Sequence, residues 1–146
     1  MDTKLTKDQF EKLLHLAYLG NWMVNAYRSD DFLEGYNEAA ERIYASAPAF
    51  GLKDKIEFDE AEGRAFPSAR LEEELADLID DYDDAAFWDL LVLKLAERDL
   101  VREYGQGAVD LMSDEELEEK RAPYAKKYEK EIEANGIENL EIYKIS

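Results

Sequence analysis

The segment that most limits how this chain folds is Phe87–Tyr104, with the sequence FWDLLVLKLAERDLVREY. Its first ten residues contain only two charges, at Asp89 and Lys94. At about 100° per residue, the apolar side chains of this half point in every direction around a helix rather than to one side. A helix that is apolar all round has to be covered on all sides. The pattern therefore predicts a mainly α-helical bundle around a central buried helix at about residues 84–104.

Length and composition favour a single helical domain over residues 1–146. A chain of 146 residues, 46% of them hydrophobic, is large enough to bury a sizeable core. Three prolines and seven glycines are few for a loop-rich β protein, and the chain is rich in good helix formers. The sequence contains no cysteine, which excludes disulfides and thiolate-ligated metal sites.

The N-terminal residues and the apolar runs indicate a soluble protein. The opening residues, MDTKLTKDQF, lack the positive segment and apolar run of a signal peptide. The longest uninterrupted apolar runs have four residues, as at Leu90–Leu93, against about 20 needed to span a bilayer. We therefore expect a cytoplasmic protein that does not bind membranes.

Capping residues and apolar periodicity place further helices on both sides of the central one. Thr6 with Gln9, and Ser113 with Glu116, have the form of capping boxes. Pro123 is expected to interrupt a helix, because proline removes a backbone hydrogen bond and clashes with the preceding turn. The predicted helices run from Thr6 to about Arg28, from Ser29 or Asp30 to about Ser46, from Ser68 to about Tyr82, from caps at Asp83 and Asp84 through the central helix, from Ser113 to about Lys120, and from Pro123 to Asn135.

Two short segments are candidates for β structure. Residues 55–58, KIEF, place two apolar side chains on one face, and residues 140–145, LEIYKI, alternate enough to form a strand. Each is the only obvious partner of the other. The sequence therefore predicts a small two-stranded β ribbon of about 55–58 with 140–145.

A strip of polar and aromatic residues on the first helix is the strongest candidate for a binding site. Its members are Glu11, His15, Tyr18, Trp22 and Asn25, which lie one above another at helical spacing. They could contact a ligand or another chain, with the tryptophan and tyrosine as anchors. They could equally cover the edge of the core and hydrogen-bond within the fold.

The net charge of −18 is concentrated in the middle of the chain. Between Glu57 and Asp89, thirteen acids are accompanied only by Arg64 and Arg70. Such a field disfavours direct binding to nucleic acid and to anionic membranes. It serves either solubility or contact with a basic protein. The expected acidic surface consists of Glu73, Glu74, Asp77, Asp80 and Asp81.

No motif in the sequence indicates catalysis or a cofactor. Glycine-rich phosphate loops, nucleophile elbows and H-E-x-x-H are absent from it. The acids around Tyr82 lack the glycine and glutamate that an EF-hand requires. We therefore predict no catalytic residue, no metal ligand and no cofactor. Asp89, in the apolar half of the central helix, should reach the surface or pair with a basic or hydroxyl group, because an unpaired buried carboxylate is costly.

Three hypotheses about function follow. The leading one is a non-catalytic protein that acts by protein–protein contact, as an adaptor, a regulator or a homo-oligomer. The second is an acidic mimic of nucleic acid that inhibits a basic protein. The third is a small-ligand-binding protein or enzyme that uses the strip around His15.

Overall fold

The computed structural model describes residues 4–144 and is mainly helical with one small antiparallel hairpin, which confirms the predicted fold class. The elements follow in the order α1 (Lys7–Asn25), α2 (Glu34–Ser46), β1 (Ile56–Asp59), β2 (Arg64–Pro67), α3 (Ala69–Tyr104), α4 (Gln106–Val109) and α5 (Asp114–Asn135), with short 3-10 helices at Ala47–Phe50 and Lys53–Lys55. Two compact units divide the described chain, residues 4–81 and 82–144. Whether they form one domain, as the sequence suggests, stays a prediction.

Helix α1 begins as its capping signal predicts. The Thr6 hydroxyl accepts a hydrogen bond from the Gln9 backbone N–H at 3.2 Å, and the Gln9 side chain accepts one from the Thr6 N–H at 3.0 Å. The helix ends at Asn25, three residues before the expected end, because the buried Asn25 side chain bonds to both backbone groups of Leu33.

The start of α2 differs from the prediction. The helix begins at Glu34 and not after a cap at Ser29 or Asp30, and Leu33 at its N-cap position makes no side-chain capping bond. The loop before it is stabilised instead by Asn25, a contact between residues eight positions apart that capping rules do not consider.

The predicted ribbon is present, but its second strand was placed wrongly. Strand β1 pairs with β2, with Ile56 opposite Pro67 and Asp59 opposite Arg64. The Asp59 carboxylate accepts hydrogen bonds from two backbone N–H groups of the connecting turn, and Gly63 adopts a φ of 67°, which favours glycine. This local turn makes the nearby strand the partner. Residues 140–144 form no strand, and Ile145 lies outside the described residues.

The first unit contains the main hydrophobic core. Rings of Phe10 and Phe50 stack with centroids 3.9 Å apart, which joins α1 to the chain after α2. Leu71 and Leu75 bring the start of α3 into the same core. Its buried members are Phe10, Leu14, Ala40, Tyr44, Ala47, Leu52, Ala65, Leu71 and Leu75.

Helix α3 runs without interruption through the region where a break was expected. Ser68 caps its start, accepting a hydrogen bond from the Leu71 N–H at 3.3 Å, as predicted. Asp83 and Asp84 lie within the helix and do not cap a second one. The prediction of a break was wrong because residues 69–104 contain no glycine or proline, and acidic residues alone do not end a helix.

The prediction of a helix buried on all sides was also wrong. In this part of α3, Leu95, Ala96 and Leu100 are buried, but Phe87 and Leu90 are 51% and 55% exposed. Helix α5 lies along one side, where its tyrosines bond to acidic side chains of α3. The apolar side chains around this part of α3 therefore include half-exposed ones as well as buried ones.

Helix α5 contains Pro123 in its interior, although the sequence predicted two helices separated at this residue. Its start is capped as expected, with the Ser113 hydroxyl accepting from the Glu116 N–H. Pro123 and Glu119 are both exposed, so water can satisfy the carbonyl that loses its helical donor, and the helix tolerates the proline.

No helix within residues 4–144 is both long enough and apolar enough to span a membrane.

Two leucines one turn apart on α3 provide a test of the core. We expect Leu75→Ala to lower the free energy of unfolding by about 2–5 kcal/mol, because Leu75 is 1% exposed and its loss leaves a cavity. The matched control is Leu78→Ala, since Leu78 is 55% exposed, and it should cost less than about 1 kcal/mol. Denaturant unfolding measures both. Equal losses would contradict the packing of α3 against this core.

Candidate functional site

The strip predicted on α1 lies in the first unit, and its two ends belong to different environments. Glu11 and His15 meet charged side chains from the chain before β1 and from α3. Tyr18, Trp22 and Asn25 line a cleft of about 250 Å³. The strip is thus two adjacent features, an ionic cluster and an aromatic cleft.

The ionic cluster consists of Glu11, His15, Lys55 and Glu74. The Lys55 ammonium group bonds to one carboxylate oxygen of Glu74 and lies 3.5 Å from a carboxylate oxygen of Glu11. Nε2 of His15 lies 3.6 Å from the other oxygen of Glu74. Lys55 is only 6% exposed, and the two carboxylates offset the free-energy cost of burying its charge.

Backbone contacts hold Lys55 beside α3. The Ser68 N–H donates to the carbonyl of Lys55 at 3.0 Å, and the Ser68 hydroxyl donates to the carbonyl of Asp54 at 3.0 Å. Ser68 also caps α3, which begins at the next residue. One serine therefore fixes both the start of α3 and the turn that directs Lys55 towards Glu74, in the second turn of α3.

His15 is the least solvated member of the cluster after Lys55, at 8% exposure. Burial lowers the pKa of His15 below its usual range, and the nearby charge of Lys12 lowers it further, while Glu11 raises it. The ring is therefore neutral at neutral pH, and its contact with Glu74 is not an ion pair there. Its Nε2 is buried without a hydrogen-bond partner among the described residues.

The cleft combines aromatic rings with a network of amides. Nδ2 of Asn25 donates to Asn21 at 2.8 Å, Asn21 donates to Asn37 at 3.3 Å, and Asn37 donates to Glu41 at 2.8 Å. Aromatic rings from α1, α2 and the hairpin complete the lining. The residues that line the cleft are Tyr18, Asn21, Trp22, Asn25, Ala26, Phe32, Asn37, Glu41, Tyr44, Phe66, Pro67 and Glu72.

Titratable groups in the cleft are held in fixed charge states. A hydrogen bond from Arg64 lowers the pKa of Glu41, which stays ionised. Burial raises the pKa of Tyr44 well above its usual range, and burial with the charge of Glu72 raises that of Tyr18. Both phenols are therefore neutral near pH 7 and available as hydrogen-bond donors or acceptors.

The predicted acidic surface is exposed, but one of its members has a partner. Glu73, Asp77, Asp80 and Asp81 make no ion pair within residues 4–144, whereas Glu74 pairs with Lys55. Asp89 is exposed too, so it reaches the surface.

Sequence reasoning missed the connection between these groups. Glu11 and His15 are four residues apart on one helix, a common arrangement of paired side chains, but nothing local shows what they face. Glu74 was assigned to the acidic surface, and Lys55 to a strand. No local pattern marks the burial of Lys55, because its carboxylate partners lie 44 positions before it and 19 positions after it.

The comparisons with known proteins add no family to this geometry. No protein-family model, curated protein or solved structure matches the chain.

The ion pair of Glu41 and Arg64 gives stability a predictable pH dependence. Because the folded pKa of Glu41 is lowered, its contribution is full above the unfolded pKa of about 4.3 and is lost as pH falls through the folded value. Arg64→Gln should therefore destabilise at about pH 7, and the difference from wild type should shrink towards about pH 3.

Urea unfolding at several pH values measures this difference. Arg70→Gln is the control, because its pair with Asp54 is largely exposed and should contribute only about 0–1 kcal/mol. A loss for Arg64→Gln that does not change with pH would show that the ion pair is not the cause.

Proposed function

We propose that this chain acts without catalysis, by binding a protein partner whose contact surface is basic. The observation that carries the proposal is the uncompensated acidic face of α3, formed by Glu73, Asp77, Asp80 and Asp81. All four side chains are exposed. They raise the cost of folding by mutual repulsion, which a basic partner would relieve.

The nearest arginines do not neutralise this face. Arg64 pairs with Glu41 and Glu62, and Arg70 pairs with Asp54. The negative field of the face is therefore available to a partner. An interface also needs apolar contact, and Leu78, one turn from Asp81 and 55% exposed, provides it at the edge of the acids.

A set of four neutral substitutions tests the proposal. The face variant carries Glu73→Gln, Asp77→Asn, Asp80→Asn and Asp81→Asn. Its control carries Glu115→Gln, Glu119→Gln, Glu129→Gln and Glu133→Gln, which change the net charge equally on exposed positions of α5. The wild type, the face variant and the control are each immobilised and exposed to host extract at a series of salt concentrations. The proteins that each of them retains are then compared.

We expect to recover a basic protein that binds the wild type and the control but not the face variant. Its binding should weaken as the salt concentration rises. Identical proteins on all three, or retention that does not depend on salt, would contradict the proposal.

Light scattering of the purified chain tests self-association, the homo-oligomeric form of the hypothesis. The exposed side chains of Leu16 and Met23 on α1, and of Tyr27 in the turn after it, favour that form.

The charge spacing favours one kind of basic partner, a protein that normally binds nucleic acid. The four acids occupy nine residues of α3, about 12 Å of helix axis. Three intervals over this length give a mean spacing of about 4 Å between charges, close to the spacing of about 3.4 Å along one DNA strand. Duplex DNA should then displace the captured protein, whereas a partner of another kind would stay bound.

The aromatic cleft supports a second function, the binding of a small ligand. Its rings and its carboxylate at Glu72 suit a small organic cation, through cation–π and ionic contacts. In a thermal-shift screen of amines, a ligand at 100 times its dissociation constant should add about 2.7 kcal/mol of stability. Trp22→Leu should abolish the shift, and Tyr27→Leu, outside the cleft lining, should not. Equal shifts in both variants would rule the cleft out.

A further inference from the structure

An imidazole nitrogen in the first unit lacks the partner that its burial calls for. Nε2 of His15 is inaccessible to solvent and makes no hydrogen bond to any described residue. Buried polar atoms in folded proteins are almost always paired, because an unpaired one loses its hydration without replacement. The residue is 8% exposed, so solvent does not supply that partner readily.

Two carboxylates lie beside this nitrogen. One donor atom each from Glu11, His15 and Glu74 can be chosen so that all three lie within 4.8 Å of one another. Donors bound to one zinc ion at about 2.0–2.1 Å lie about 3.3 Å apart. Small rotations of the two flexible glutamates would close that difference without movement of the backbone.

We propose that His15, Glu11 and Glu74 bind one divalent transition-metal ion, zinc or an ion of similar preference. A neutral imidazole carries on one ring nitrogen the lone pair that a metal requires, and the unpaired Nε2 of His15 is the nitrogen placed to supply it. One imidazole and two carboxylates suit first-row divalent ions, whereas calcium and magnesium prefer oxygen donors alone. Two ligands come from one helix and the third from another, so the metal would join α1 to α3.

Lys55 supplies the positive charge of the cluster when no metal is bound. Its ammonium group reaches Glu74 and lies 3.5 Å from Glu11, but Nε2 of His15 still has no hydrogen-bond partner. A metal would use that nitrogen and compete with Lys55 for the carboxylates. Lys55 is thus expected to weaken metal binding, by repulsion and by occupying a carboxylate oxygen.

The untagged wild-type chain provides the first test, because His15 is its only histidine. In nitrogen NMR spectra, titration with zinc should shift the resonances of a single imidazole, with Nε2 moving most. The shifts should saturate at one ion per chain. Cobalt(II) bound at the same site should show absorption bands in the visible spectrum that are typical of a cobalt ion with a nitrogen ligand. Unshifted imidazole signals at saturating zinc would overturn the proposal without any substitution.

Three variants separate this site from general binding of cations to an acidic protein. His15→Gln should weaken zinc binding by at least about tenfold in calorimetry, and Glu73→Gln, an exposed unpaired acid next to Glu74, should leave it unchanged. Lys55→Met should tighten it. If His15→Gln and Glu73→Gln weaken binding equally, or Lys55→Met loses it while still folded by circular dichroism, the cluster is only an internal ion network and the proposal fails.

Discussion

The ammonium group of Lys55 lies in the interior of the first unit, between carboxylates from α1 and α3. A buried ion pair adds little over an apolar substitute, but removing one partner typically costs about 3–5 kcal/mol, because the other charge is left unpaired. Three separate segments must therefore arrive together: the first turns of α1, the turn before β1 and the second turn of α3. Ser68 fixes the position of the turn relative to α3, because it bonds to the backbone of the turn and also caps the helix.

This arrangement also explains how the acidic charge of α3 is divided. Glu74 turns towards Lys55, and Glu73, Asp77 and Asp80 remain in solvent without ion pairs to the described residues. The arginines that could have compensated them are held by other acids, among them Glu41 in the wall of the cleft. The chain thus neutralises Glu74 where it meets the buried ammonium group of Lys55, and it leaves Glu73, Asp77 and Asp80 charged in solvent.

Local signals were predictable from the sequence, and contacts between distant segments were not. The capping boxes at Thr6 and Ser113 and the cap at Ser68 were found correctly, because each depends on residues three positions apart. The partner of β1 was missed, since residues 64–67 end in proline and do not alternate clearly. The strip on α1 was identified from helical spacing, but its division between a cleft and an ionic cluster depends on Lys55 and Glu74, which lie 30 or more positions after it in the chain.

The two proposals for the first unit are physically linked through Glu74. Asp77 lies three residues after it on α3, so a divalent ion bound at Glu74 would place positive charge beside the acidic face. That charge would oppose a basic partner, more strongly at low salt, where screening is weak. By thermodynamic linkage, the partner would weaken metal binding by the same factor. Lys55 limits this coupling. When a divalent ion displaces its ammonium group from the carboxylates, the site gains the charge of the metal but loses that of the lysine, so the local charge changes by less than the full charge of the metal.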